Sequence, residues 1–149
     1  MRVYDIMATD VQSSGVNTSL DTVASKMWEH NCSAIPIVDS NDRPMGMITD
    51  SDIAMCCKLN HKAPWELEAL TVIANREHYV CWKDDDIDIA MALMKDREIR
   101  RLAVADNDGH LVGVLSIDDV VSCLIKEKPA QKLSYDTAMH TLKVVTIQH

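Results

Sequence analysis

The sequence has 149 residues, 47% of them hydrophobic and 26% charged, which indicates a globular chain long enough for one compact domain with a sizeable core. The net charge is −8 and the basic residues are mostly dispersed, which argues against nucleic-acid binding, because such proteins present a positive stripe to the phosphates. The N-terminus lacks the apolar segment of a signal peptide and no apolar run reaches membrane-spanning length, so we predict a cytoplasmic protein without a membrane partner.

The residues with reactive or metal-binding side chains form no recognisable catalytic or metal motif. Five cysteines, an odd number, are typical of reduced thiols in a chain without an export signal. The six histidines include no pair spaced i, i+4 and have no Cys-x-x-Cys companion, so we predict no metal site. Neither a phosphate-binding loop nor a nucleophile elbow is present, and an enzyme using cysteine or histidine chemistry is the least favoured reading.

The chain contains an internal duplication. When the sequence is shifted by 67 positions, residues 20–53 align with residues 87–120 without an insertion. The identical pairs are Asp21 with Asp88, Met27 with Met94, Asp39 with Asp106, Gly46 with Gly113, and Asp52 with Asp119. Two copies of one structural unit are therefore predicted.

Each copy begins with an amphipathic helix. In the first copy, apolar side chains recur at helical spacing after a cap at Ser19 or Thr18, and the stripe comprises Leu20, Val23, Ala24, Met27 and Trp28. The second copy places Ile87, Ala90, Met91 and Met94 on the same face. An acidic run, 84–86, precedes this second helix at the positive end of its dipole.

A strand, a polar turn, a returning strand and a second helix follow in each copy. In the first copy, apolar runs on either side of a polar turn predict strands over 34–38 and 45–49, followed by a helix from about Asp50. The second copy predicts strands over 102–105 and 111–116 and a helix from about Asp118. Between the copies, Pro64 starts a short helix and residues 79–81 form a short strand.

These elements define the predicted domain boundaries. The first repeat covers 1–60, the linker with the first strand of the second repeat covers 61–82, and the remainder of the second repeat covers 83–126. Residues 127–149 are a C-terminal extension, in which Ser134 can cap a short helix and residues 142–147 alternate like an edge strand. A single unit of about 60 residues buries too little surface to be stable alone, so we expect the two units to stack.

In these duplicated segments the chain resembles the CBS domain family, whose tandem repeats form a Bateman module. Four segments carry the resemblance: 33–39, 46–53, 100–106 and 113–120. One departure is Ala103, where the family usually has proline, as at Pro36 in the first copy. The resemblance implies an α/β (α+β) fold of two pseudo-twofold related β-α-β-β-α repeats, usually assembled as a homodimer. Within the family, the chain is most similar to small stand-alone bacterial proteins, including those of the hypoxia and stress response.

The strand-to-helix junctions are the candidate binding sites. Each junction has a hydroxyl residue followed three positions later by an acid, Thr49 with Asp52 and Ser116 with Asp119. Exposed amides at a helix N-terminus suit a phosphate, and a carboxylate one turn later can accept hydrogen bonds from both ribose hydroxyls. The same spacing also forms a capping box, which only starts a helix, and duplication does not distinguish the two readings.

The resemblance assigns further residues to two clefts between the repeats. The favoured cleft combines Ser116 and Asp119 with Ser33 and Ala34, places Val114 beneath the adenine, and directs Arg100 and Arg101 to the phosphates. The other cleft combines Thr49, Asp52 and Met47 with the same arginine pair. The alternative reading for the arginines is a solvated strand edge paired with Asp96 or Glu98.

The predicted function is a non-catalytic sensor. The resemblance implies a regulatory ligand that contains adenosine (AMP, ADP, ATP or S-adenosylmethionine), no required cofactor, and an unidentified effector protein as a further partner. The alternative is a ligand-free module for dimerisation or partner binding.

Overall fold

The computed structural model describes residues 1–126 and 139–144, and the chain divides into two compact units. The first unit contains Asp10–Tyr79 together with Gly109–Leu111. The second unit contains Met1–Thr9, Val80–Asp108 and the described residues from Val112 onward.

Each unit is built on a three-stranded sheet with the order β-α-β-β-α, which confirms the predicted fold class. In the first half of the chain the elements are β1 (Ser14–Gly15), α1 (Leu20–Glu29), β2 (Ala34–Val38), β3 (Pro44–Thr49), α2 (Asp50–Asn60) and α3 (Ala69–Ile73). In the second half they are β4 (Val80–Trp82), α4 (Ile87–Arg97), β5 (Arg101–Ala105), β6 (Leu111–Ser116) and α5 (Ile117–Lys126). Short 3-10 helices occupy Val3–Asp5 and Pro64–Glu66.

The two sheets share one strand order. β1 runs parallel to β2, and β2 pairs with β3 in the antiparallel hairpin that the sequence predicts. β4 likewise runs parallel to β5, with β6 on the far side of β5. The two-residue β1 and the five-residue α3 are too short for their apolar periodicity to be visible in the sequence, so neither was predicted.

α1 begins where its cap predicts and buries most of its predicted stripe. The Ser19 hydroxyl accepts a hydrogen bond from the Thr22 N–H, and Leu20, Val23 and Met27 are buried. Trp28 is 89% exposed, so its assignment to the apolar stripe was wrong. It lies one residue before the C-terminal end of α1 and one turn after Ala24, which is itself only half-buried.

α4 repeats this arrangement with a carboxylate cap. Asp86 accepts a hydrogen bond from the Asp88 N–H at 3.0 Å, and the four predicted apolar residues, Ile87, Ala90, Met91 and Met94, are buried. Arg2 lies 3.5 Å from Asp84 in an exposed ion pair, which offsets part of the negative charge of the acidic run.

The segment preceding each repeat contacts the sheet of the other half of the chain. The Ala8 N–H donates to the Val114 carbonyl at 2.9 Å, and the Val114 N–H donates back to the Ala8 carbonyl at 3.0 Å. In the first unit, α3 contacts β3, where Ile73 lies against Gly46. The compact units therefore cut across the repeats as the sequence delimits them, and the boundaries at 60, 82 and 126 stay predictions.

The C-terminal predictions fall only partly on described residues. Residues 139–144 are helical, so the edge strand predicted from position 142 was wrong at 142–144. The predicted cap at Ser134 and positions 145–147 lie outside the described residues. Among the described helices, none combines the length and the apolarity that crossing a bilayer requires.

The thiol of Cys81 is buried, and we expect it to react slowly. Its Sγ donates to the Ala103 carbonyl at 3.8 Å, and burial, reinforced by the nearby Asp85 carboxylate, raises the pKa of Cys81 to about 12. Because the thiolate is the reactive form, we expect iodoacetamide at pH 8 to label Cys81 at least ~100-fold more slowly than an exposed thiol in the unfolded chain. Mass spectrometry of labelled peptides measures this rate, with half-buried Cys57 as the internal control.

The same shift makes stability depend on alkaline pH. A folded-state pKa above the ordinary 9.0 contributes stability that is complete below pH 9 and is lost as pH rises toward 12. We expect Cys81→Ala to flatten the fall in the free energy of unfolding over this window. An equally steep fall in Cys81→Ala, or labelling of Cys81 as fast as that of Cys57, would contradict this account.

Candidate functional site

The first junction, between β3 and α2, forms a complete capping box. The Thr49 hydroxyl accepts a hydrogen bond from the Asp52 N–H at 3.2 Å, and Oδ2 of Asp52 accepts one from the Thr49 N–H at 2.8 Å. The structural alternative raised by the sequence is therefore realised here. One carboxylate oxygen of Asp52 is used in starting the helix.

The other oxygen of Asp52 is bound by an arginine from the same unit. The Nη1 of Arg76 lies 2.9 Å from Oδ1 of Asp52, whose side chain is only 18% exposed. Arg76 follows α3 and is 24 positions from Asp52 in the sequence. No local spacing connects Arg76 to the junction, so this residue is not predictable from the sequence pattern.

The second junction, between β6 and α5, uses its carboxylate differently. Oδ2 of Asp119 accepts hydrogen bonds from the Ser116 N–H at 2.9 Å and from the Ser116 hydroxyl at 2.6 Å. The Ser116 hydroxyl in turn accepts from the Asp119 N–H at 3.1 Å. Within residues 1–126 and 139–144, Oδ1 of Asp119 makes neither a hydrogen bond nor an ion pair, so the cap leaves one acceptor available.

The second unit also holds the predicted arginines and Val114. The Arg100 carbonyl accepts a hydrogen bond from the Ile117 N–H at 2.9 Å, which places the start of β5 beside the junction. The Arg100 guanidinium is 3.6 Å from Asp118, rather than paired with Asp96 or Glu98. Because both side chains of this pair are substantially exposed, it is a weak ion pair, and it leaves the cation close to the junction.

Arg101 and Val114 lie on neighbouring strands and are both half-buried. Arg101 opens β5, and Val114 lies in β6 two residues before Ser116. The structure therefore brings five predicted site residues into one unit: Ser116, Asp119, Arg100, Arg101 and Val114.

The other predicted residues belong to the first unit. Ala34 pairs with Thr49 across the hairpin, and Met47 pairs with Pro36. The Ser33 carbonyl accepts from the Asp50 N–H at 3.2 Å, the counterpart of the contact between Arg100 and Ile117. Their grouping with Ser116 and Asp119 stays a prediction.

The second junction therefore offers three groups suited to a nucleotide. A carboxylate oxygen can accept hydrogen bonds from hydroxyls, and the start of a ten-residue helix and a nearby guanidinium favour an anion. The two junctions share a capping box and differ in whether a protein cation already binds the carboxylate.

The comparisons with known proteins match this duplicated architecture. The family model of the CBS domain matches residues 3–57 and again residues 71–126. The chain is 30% identical over 118 residues to the CBS domain-containing protein YhcV of Bacillus subtilis, covering 79% of this chain and 81% of that protein. Other relatives are longer: the chain spans 60% of an uncharacterized protein of Methanopyrus kandleri and 23% of a homoserine O-acetyltransferase of Methanobrevibacter ruminantium.

Solved structures share the fold. Hypoxic Response Protein I, crystallised with two coordinated zinc ions, has a TM-score of 0.74 at 28% identity and covers 82% of this chain and 98% of its own. The CBS domain pair of protein MJ0100, crystallised with 5′-methylthioadenosine and S-adenosyl-L-methionine, has a TM-score of 0.71 at 25% identity, covering 86% and 98%. A CBS domain protein of Pyrobaculum aerophilum complexed with AMP has the same fold at 19% identity, with a TM-score of 0.73 and coverage of 92% and 99%.

Proposed function

The chain belongs to the CBS domain family, and on that premise we propose that it is a non-catalytic regulatory module that binds an adenosine-containing ligand, AMP, ADP, ATP or S-adenosylmethionine. The ligand's ribose is held at the junction of Ser116 and Asp119. The observation that carries this assignment is the unpaired Oδ1 of Asp119 in the described part of the chain, beside a helix N-terminus and Arg100.

The chemistry of the second junction supports this ligand class. The two vicinal hydroxyls of a ribose can donate to the same carboxylate oxygen or to one oxygen each. Hydrogen bonds to a charged acceptor are stronger than those between neutral groups. In a chain with a net charge of −8, a phosphate-bearing ligand also needs local positive charge, and Arg100 and Arg101 give the phosphate bidentate donors. Ser33 and Ala34 remain the predicted contacts of the adenine.

A thermal-shift panel tests the ligand class. We expect at least one of AMP, ADP, ATP and S-adenosylmethionine to raise the melting temperature of the full chain in a concentration-dependent way, because a ligand that binds only the folded state stabilises it by RT ln(1 + [L]/Kd). GMP and CMP are the controls for unspecific effects. If none of the adenosine ligands changes the melting temperature relative to the ligand-free chain, the proposed sensing function is wrong.

We further propose that the module is a homodimer. The last helix of each repeat exposes large apolar side chains: Met55 is 48% exposed and Leu59 70% exposed on α2, and Ile125 is 73% exposed on α5. Exposed apolar faces of this kind mark association surfaces. We expect light scattering at micromolar concentration to give twice the chain mass of 16.7 kDa for the wild type. The double variant Leu59→Glu, Ile125→Glu is expected to give the mass of the monomer. A wild-type monomer would contradict the dimer.

The second candidate function is a ligand-free module that dimerises or binds an effector protein in the cytoplasm. The observation in its favour is that both junctions form complete capping boxes from the protein's own groups, so neither helix needs a ligand to begin. A dimer that binds none of the panel would support this function instead.

A further inference from the structure

We propose that Arg76 is an internal occupant of the first junction, so that the chain binds one adenosine ligand rather than two. This inference rests on the proposed function, because it assumes that the junction carboxylates read the ribose. It identifies Arg76 as the residue that makes the two duplicated junctions unequal.

Both carboxylate oxygens of Asp52 have partners within the protein. Oδ2 is engaged by the Thr49 N–H at 2.8 Å and Oδ1 by the Arg76 Nη1 at 2.9 Å. Each oxygen of Asp52 thus already has a protein partner, and the guanidinium at Oδ1 neutralises the charge that a ribose diol would bind, so the ribose must compete with Arg76. The guanidinium is the strongest side-chain competitor for such a site, because it is always charged and does not titrate away.

At the position that corresponds to Arg76, the second unit has a threonine. The 67-residue shift that aligns Asp52 of the first copy with Asp119 of the second also aligns Thr9, which precedes the first copy, with Arg76, which precedes the second. Both residues follow the segment that packs against the glycine of the returning strand, Ile73 against Gly46 and Met7 against Gly113. The segment in the second unit thus ends without a cation, and Asp119 has no ion pair among the described residues.

Arg76 reaches Asp52 from a turn that directly follows α3. The Arg76 N–H donates to the Ile73 carbonyl at 3.1 Å, which closes a turn directly after α3. α3 contacts both β3 and α2, the two elements that meet at the junction. The backbone of Arg76 is therefore held beside the carboxylate by this turn, and its side chain, which is 51% exposed, reaches Asp52 from there.

Calorimetric titration of the full chain tests the inference by stoichiometry. The probes are AMP, ADP, ATP and S-adenosylmethionine, and the variants are Arg76→Ala, Asp52→Asn with Arg76→Ala, and Lys62→Ala. The last is the control for the loss of one positive charge, since Lys62 is exposed in the same unit. Circular dichroism verifies that each variant is folded.

We expect one ligand per chain for the wild type and Lys62→Ala, two for Arg76→Ala, and one again for the double variant. Two ligands bound to the wild type, or an unchanged stoichiometry in folded Arg76→Ala, would overturn the inference. A wild type that binds none of the probes is the separate failure of the proposed function, and whether Arg76→Ala gains a site still decides the role of Arg76.

Discussion

Replacing Asp119 by asparagine is expected to weaken binding of the adenosine ligand about 10- to 100-fold, because hydrogen bonds to a charged group contribute roughly 1.5–3 kcal/mol. The amide oxygen of asparagine can take the place of Oδ2 and keep the contact with the Ser116 N–H, so the helix cap survives. Its NH2 group then replaces Oδ1 and presents a donor where the ribose hydroxyls need an acceptor. The measurement is the Kd by calorimetry.

Asp52→Asn is the matched control, since it makes the same chemical change in the same capping box of the other repeat. We expect it to change the Kd less than about twofold and to cost no more than about 1 kcal/mol of stability through its partly exposed pair with Arg76. Equal weakening by the two variants would show that the cap, and not a ribose contact, determines binding.

Adding a single methyl group at Gly113 is expected to destabilise the fold by about 1–3 kcal/mol, the usual cost of overpacking. A Cβ at this position would lie 2.7 Å from the Ala8 carbonyl oxygen and 2.8 Å from Sδ of Met7. The methionine side chain can move, but the Ala8 backbone is fixed by its two hydrogen bonds with Val114. Gly113→Ala must therefore displace the N-terminal segment from the edge of β6.

Urea unfolding and amide exchange measure this effect. The control is Gly15→Ala, which also adds a Cβ to a strand glycine but whose nearest neighbour would be the Thr18 hydroxyl at 3.8 Å. We expect Gly15→Ala to unfold at the urea concentration of the wild type and Gly113→Ala to lose protection of the Ala8 amide. A protected Ala8 amide together with unchanged stability in Gly113→Ala would refute the packing account.

The repeated elements were predictable because each has its own local pattern. The stripe from Leu20 to Met27 and its copy from Ile87 to Met94 follow the helical period, and the apolar runs 34–38 and 102–105 are bounded by polar turns. Asp39 shows the turn chemistry directly: backbone N–H groups of Arg43 and Asn41 donate to its carboxylate and lower the pKa of Asp39.

Elements whose placement depends on the rest of the chain were not predictable. Trp28 continues the apolar stripe in sequence, yet no part of the first unit covers it, because a period does not reveal where a core ends. β1 consists of two residues held by their pairing with Ile37 and Val38, which is a tertiary interaction. Met1–Thr9 belongs to the same compact unit as Val80–Asp108, and no local pattern in the sequence indicates this either.

In the candidate site, too, the local features were predictable from the sequence and the tertiary contacts were not. The spacing of Ser116 and Asp119 and of Thr49 and Asp52 indicated both junctions and their capping boxes, since a cap is encoded within four residues. The difference between the junctions arises from Arg76, which is close to Asp52 only in the folded chain. Duplicated motifs therefore identify where a ligand site is possible, and the tertiary neighbours determine which copy is available.

The measurement that tests the central claim most directly compares AMP with 2′-deoxy-AMP by calorimetry on the wild type and on Asp119→Asn. If the Asp119 carboxylate binds the ribose diol, removal of one hydroxyl weakens binding to the wild type about tenfold or more and has little effect in Asp119→Asn. Equal affinity of the wild type for both nucleotides, or the same loss in both proteins, would contradict the assignment of the ribose to this junction.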